Sequence, residues 1–196
     1  VLPHLEGFHH IAVARDHGDV ELGLDFRVGA FENIDGRLAG LMLLDVSGHG
    51  IASGLITMIA RSIFYRNFFS GTGMNLGAIM NRINDELINE ISKTEKYITA
   101  ILLRFKGSRV EYANAAHPDI VLRRKRDMKA TVIDEKKETG GSILGVSGLD
   151  KEYNTMEFTM EEGDVLVAFS DGLIEGKNRS GRCYGFTGIS AALEST

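Results

Sequence analysis

Hydrophobic and polar positions alternate with three different rhythms along this chain. Arg37–Leu44 carries Leu38, Leu41, Met42, Leu43 and Leu44 with no polar face, the pattern of a strand covered on both sides. Asp35-Gly36 just before it is a hairpin signal, and Leu22–Phe31 is the expected partner strand. Over Ile51–Phe69 the spacing becomes three and four, with Leu55, Ile56, Ile59, Ile63 and Phe64 predicting the buried stripe of a helix. A second helix, from about Asn75 to Ile91, is predicted by Leu76, Ile79, Met80, Ile83, Leu87 and Ile91. Two such consecutive helices are expected to pack on one face of a sheet. From Tyr97 the pattern turns to strands, at Tyr97–Phe105, Arg109–Ala115, Asp119–Arg124 and Lys129–Ile133. The short turns between them predict an antiparallel meander. A glycine-rich segment, Thr139–Gly145, interrupts it, and two further strands, Tyr153–Met160 and Asp164–Ser170, are joined by Glu161-Glu162-Gly163. Gly188–Thr196 opens as a helix. No repeat, low-complexity tract or linker divides the chain, so residues 1–196 read as a single α+β domain with an antiparallel core.

Composition narrows the partners. Among 196 residues, 22 Lys and Arg stand against 27 Asp and Glu, a net charge of −5 that argues against nucleic acid as a partner. The longest apolar runs, Leu41–Leu44 and Val165–Phe169, are far too short for a bilayer span, so no membrane contact is expected of this domain. A lone Cys183 rules out an intrachain disulfide, and no secretory signal is visible; both fit a cytoplasmic protein. The chain begins at Val1 rather than Met and is read as a piece of a longer protein.

Candidate chemistry concentrates where two buried strands end. Leu41–Leu44 runs into Asp45-Val46-Ser47-Gly48, and Val165–Phe169 runs into Ser170-Asp171-Gly172. Each sets a carboxylate beside small residues, where backbone approaches a ligand closely. Asp25 lies in the strand expected to pair just before. Three such carboxylates suit a hard divalent cation such as Mg²⁺ or Mn²⁺. The alternative is that Asp45 and Asp171 cap helices or close turns. His49, next in the Asp45 loop, is a candidate proton donor or a packing residue at the helix junction. His9 and His10 point to opposite faces of a strand and cannot share a metal. His117 reads as a turn residue before Pro118, and Arg123–Arg126 as a solvated hairpin tip.

Taken in order, these segments resemble the metal-dependent PPM-type serine/threonine phosphatases, most closely their bacterial SpoIIE/RsbU-like branch. Asp45-Val46-Ser47-Gly48-His49-Gly50 looks like the family's Asp-Val-Ser-Gly-His-Gly. Glu21–Phe26 resembles Gly-Gly-Asp-Phe-Tyr-Asp, Tyr112–Pro118 resembles Tyr-Ala-Asn-Ala-Gly-His-Pro, and Ser170–Glu175 resembles Thr/Ser-Asp-Gly-Val-Thr-Glu, with Tyr184-Gly185 after it. The resemblance implies two packed antiparallel sheets flanked by helices in four αββα layers. It also implies two Mn²⁺ or Mg²⁺ ions held by Asp25, Asp45, the Val46 backbone carbonyl and Asp171, with Asp45 and His49 in the catalytic step. The implied substrate is a phosphoserine or phosphothreonine on a small STAS-type anti-sigma-factor antagonist. An upstream sensor or receiver domain and a homodimer fit the same branch. This sequence departs from the pattern at Leu24, at Val28, where no carboxylate stands, and in lacking the closing Asp-Asp-x-Thr segment. The departures leave a second reading open, a catalytically degenerate binding or regulatory module on the same fold.

Overall fold

The computed structural model describes residues 11–15, 20–22, 28–32, 35–134, 138–149, 152–177, 181 and 183–195. Among these, the strands pair antiparallel into two five-stranded sheets. One holds β3 (Val28–Glu32), β4 (Leu38–Val46), β5 (Ile98–Lys106), β6 (Arg109–Ala115) and β9 (Met156–Thr159), in that spatial order. The other runs β2 (Val20–Leu22), β1 (Ile11–Arg15), β10 (Val165–Phe169), β7 (Val121–Arg123) and β8 (Ala130–Val132).

The period of two along each strand builds the layers. Leu41 and Leu43 of β4, Ile101 and Leu103 of β5 and Tyr112 of β6 meet Leu122, Leu166 and Ala168 between the sheets. Their neighbours Met42, Leu44, Val46, Ala100 and Leu102 face the opposite way, onto α1 (Ile51–Ser70) and α2 (Leu76–Ile91). On the far side, Val121, Val165, Val167 and Phe169 cluster with Leu173 of α3 (Asp171–Glu175) and with Ile189 and Leu193 of α4 (Gly185–Glu194). The result is the expected helix–sheet–sheet–helix stack.

Several local expectations change. Strand β4 runs on to Val46, so Asp45 is a strand residue and not the first residue after one. The buried face of α1 is Ile56, Ala60, Ile63, Phe64 and Phe68, while Leu55 and Ile59 of the expected stripe are exposed. That helix is apolar around most of its circumference, so spacing alone cannot choose its inner side. The meander also divides: β5 and β6 pair in one sheet, whereas β7 and β8 pair in the other. Likewise β9 joins β6 and β10 joins β7 and β1, so the Glu161–Gly163 turn links sheets rather than closing a hairpin. Arg124 is not a solvated tip, because its guanidinium pairs at 2.7 Å with buried Asp164.

A buried ion pair ties the helices to the first sheet. Arg104 of β5 donates to Glu111 of β6 through Nε at 2.7 Å, and its other nitrogens reach the carbonyls of Gly71 and Met74 between α1 and α2. Burial alone would raise the Glu111 carboxyl, but the Lys106 and Arg104 hydrogen bonds outweigh it and hold it below its usual value.

Candidate functional site

Alternation along β4 and β5 puts Asp45 and its cross-strand partner Thr99 on the same face as Leu43 and Ile101, the face that meets the second sheet. On the side of the other sheet, Asp171 is the first residue of α3, with one residue between it and the end of β10. His117, in the crossover from β6 to β7, has its Nδ1 2.8 Å from Thr99 Oγ1, and the Asp171 carboxylate favours its charged form. Thr99, the cross-strand neighbour of Asp45, therefore contacts a ring that senses the charge of Asp171.

His117 is held tightly. Its backbone N–H donates to Asn114 Oδ1 at 2.8 Å, and its carbonyl accepts from Asn114 Nδ2 at 2.9 Å. The same Nδ2 also meets Tyr112 Oη at 2.8 Å and Asp119 Oδ1 at 3.0 Å. Ala116 just before it adopts φ +54°, a left-handed conformation where the resembling motif has glycine. The ring is 4% exposed, and burial pushes its pKa down to about 4 against the opposing pull of Asp171 and the Phe169 carbonyl. Its Nε2 is buried with no hydrogen-bond partner.

The loop after Asp45 is shaped by two glycines. Gly48 and Gly50 take φ of +80° and +92°, which reverses the chain into α1. A side chain at position 48 would collide with the Lys96 ammonium, so that cation lies against the loop. The Ser47 N–H donates to the Tyr97 carbonyl at 2.9 Å, and the Tyr97 N–H donates back to Ser47 Oγ at 3.0 Å. Ser53 Oγ adds a bond to the Ser47 carbonyl at 3.3 Å. His49 is exposed on this clamped loop. Beside it, a cavity of about 440 Å³ is lined by Val46, His49, Ile51, Leu55, Thr57 and Met58 among others. The cavity lies on the α1 side of the loop and carries no carboxylate.

Of the residues singled out in the sequence, Asp45 lies near the end of β4, Asp171 opens α3 after β10, His49 is exposed in the loop after Asp45, and Asp25 lies outside the described residues. Among the described residues no three acidic, His or Cys side chains form a ready metal cluster. The donors Asp45, Asp171 and the Val46 carbonyl are all hard oxygens, a set that fits Mg²⁺ or Mn²⁺. Thr99 and Lys96 carried no sequence signal, and His117 lay inside a recognised motif yet reads locally as a turn.

The family described as Stage II sporulation protein E (SpoIIE) matches residues 35–196. Phosphoserine phosphatase RsbP of Bacillus subtilis (strain 168) is 27% identical over 159 residues, which cover 80% of this chain and 37% of RsbP. The SiaA-PP2C domain of Pseudomonas aeruginosa superposes with a TM-score of 0.65 at 17% identity, covering 85% of this chain and 64% of that one. The catalytic domain of the serine threonine protein phosphatase PstP, in complex with 2 manganese ions, gives 0.55 at 18% identity, covering 87% and 80%. At these identities the structural likenesses establish the fold alone.

Proposed function

The chain belongs to the SpoIIE family, and from that premise we propose that it is a metal-dependent protein serine/threonine phosphatase domain acting on a phosphorylated regulatory protein of the STAS type. The observation that supports this reading is the contact of Thr99, cross-strand neighbour of Asp45, with the buried ring of His117, whose charged form Asp171 favours. Asp45, the Val46 carbonyl and Asp171 would hold the metal, with Asp25 as a further ligand. Two Mn²⁺ or Mg²⁺ ions bound there supply an activated water for in-line attack on phosphorus and neutralise phosphate oxygens.

The chain's own residues do the rest. His49, on the exposed rim of the loop, donates a proton to the departing serine or threonine oxygen. Gly50 leaves the first amides of α1 without a side-chain cap, and the positive end of that helix favours an anionic phosphate. Ile51, Leu55 and Met58 are 86%, 57% and 65% exposed beside the cavity, an apolar rim suited to a protein surface rather than a small phosphoester.

The test is phosphate release from a phosphoserine peptide by this protein, with and without Mn²⁺. Release should require the metal, vanish with Asp45→Asn, and fall about 10²-fold or more with His49→Ala. A protein that binds a phosphoserine protein but binds no Mn²⁺ and releases no phosphate would be the degenerate binding module instead.

A further inference from the structure

One cation beside the Asp45 loop has no assigned task. Glu95, at φ +54°, turns the chain from the end of α2 into β5, and the mutual bonds of Ser47 and Tyr97 fix the next stretch against the loop. Lys96 is thereby held beside Gly48, half-buried, with its ammonium where a side chain at position 48 would stand. Ser53 Oγ is 3.8 Å from the same point. Gly48 and Ser53 both line the cavity of about 440 Å³ beside His49, so the ammonium stands at that cavity's rim. Among the described residues Lys96 pairs with no carboxylate, whereas the cations of α1 are committed, Arg66 to Glu86 and Arg61 to the Val28 carbonyl. The cavity walls are mostly apolar, Leu55 and Met58 among them, and none of the lining residues is acidic.

We propose that this cavity is a recognition subsite for the phosphorylated protein: it takes a large apolar side chain from the segment flanking the phosphoresidue, and Lys96 pairs with an acidic residue beside that side chain. Apolar walls with one convergent charged group make a pocket that anchors its occupant and also orients it. Such walls offer a nucleotide base or a sugar few hydrogen bonds, and exposed apolar surface of this kind is suited to covering by another protein. An ammonium without a counter-ion, on the rim of a cavity without carboxylates, favours an anionic neighbour and rejects a cationic one. His49 lines the same cavity, so the flanking segment is held next to the group that protonates the departing oxygen. This inference rests on the phosphatase reading and adds to it the chemistry of the segment that is recognised.

Phosphoserine peptides varied at one flanking position at a time, among Leu, Ala, Asp and Lys, test it through ratios of kcat/KM with Mn²⁺, which a general loss of activity leaves unchanged. In the wild type, Leu should exceed Ala about 10-fold at one position, and Asp should exceed Lys about 3-fold or more at a neighbouring one. Lys96→Glu should invert the preference for Asp over Lys and keep the preference for Leu. Gly54 also lines the cavity, and a Cβ there meets nothing within 4 Å, so Gly54→Leu can be accommodated and should abolish the preference for Leu. Wild type that cleaves every peptide alike, or variants that keep both preferences, overturns the proposal and leaves the phosphatase reading standing. Peptides cleaved alike, together with a concentration-dependent dimer in sedimentation that Gly54→Leu dissociates, would give the cavity to a second copy instead. Wild type that releases no phosphate from any peptide overturns the phosphatase reading and this inference together.

Discussion

Asn114→Ala removes the side chain on which the β6–β7 crossover hangs. Asn114 is 4% exposed, and its amide satisfies the N–H and the carbonyl of His117, which is equally buried. Tyr112 Oη and Asp119 lose one bond each but keep others: the Ile120 backbone serves Tyr112, and Asp119 has further contacts. The two His117 backbone groups are therefore the ones stranded, at about 1–3 kcal/mol each. A small cavity adds to this, and the expected loss is about 3–5 kcal/mol. For a chain of this size that lowers Tm by roughly 6–20 °C. Thermal and urea unfolding of metal-free protein, followed by circular dichroism, measures it. Because the stranded groups are backbone, the same loss should persist in a His117→Ala background. Asn114→Asp, which keeps the acceptor but loses the donors and faces Asp119, should be at least as damaging. A loss below about 1 kcal/mol for Asn114→Ala would refute the reasoning, since it would mean that water or another group takes over both bonds.

Acid should destabilise the metal-free protein through His117. Its folded pKa of about 4 lies below its ordinary 6.5, so the unfolded chain binds more protons between those values and stability rises with pH across that window. Urea midpoints at pH 7 and pH 4.5 should reveal a loss that approaches about 3 kcal/mol as pH falls towards 4, smaller in His117→Asn; equal pH dependence in the two proteins would show that the ring does not titrate as described. Ala116→Gly should stabilise the protein by about 0.5–1 kcal/mol, because relief of the left-handed alanine exceeds glycine's added freedom in the unfolded chain. A lower Tm for that variant would show that position 116 is not strained.

Much of this protein is written locally. The strand β4, the helix α2, and the strands β5 and β6 follow from the spacing of apolar residues, because burial on one face or two imposes a period that the sequence carries. The Asp45 loop and Asp171 were legible too, as carboxylates set among small residues beside buried strands. The sheet to which each later strand belongs was not. β6 and β7 look like a continuing meander, and β9 and β10 like a hairpin, because short turns say only that strands reverse. Which side of α1 turns inward was equally hidden, since Leu55 and Ile59 are as apolar as Ile56 and Ala60. The contact of Thr99 with His117 likewise depends on residues distant in the chain. Local periodicity reports how deeply a residue is buried; only the packing of two sheets decides against what, and that packing turns His117 from an expected turn residue into a buried ring set against Thr99.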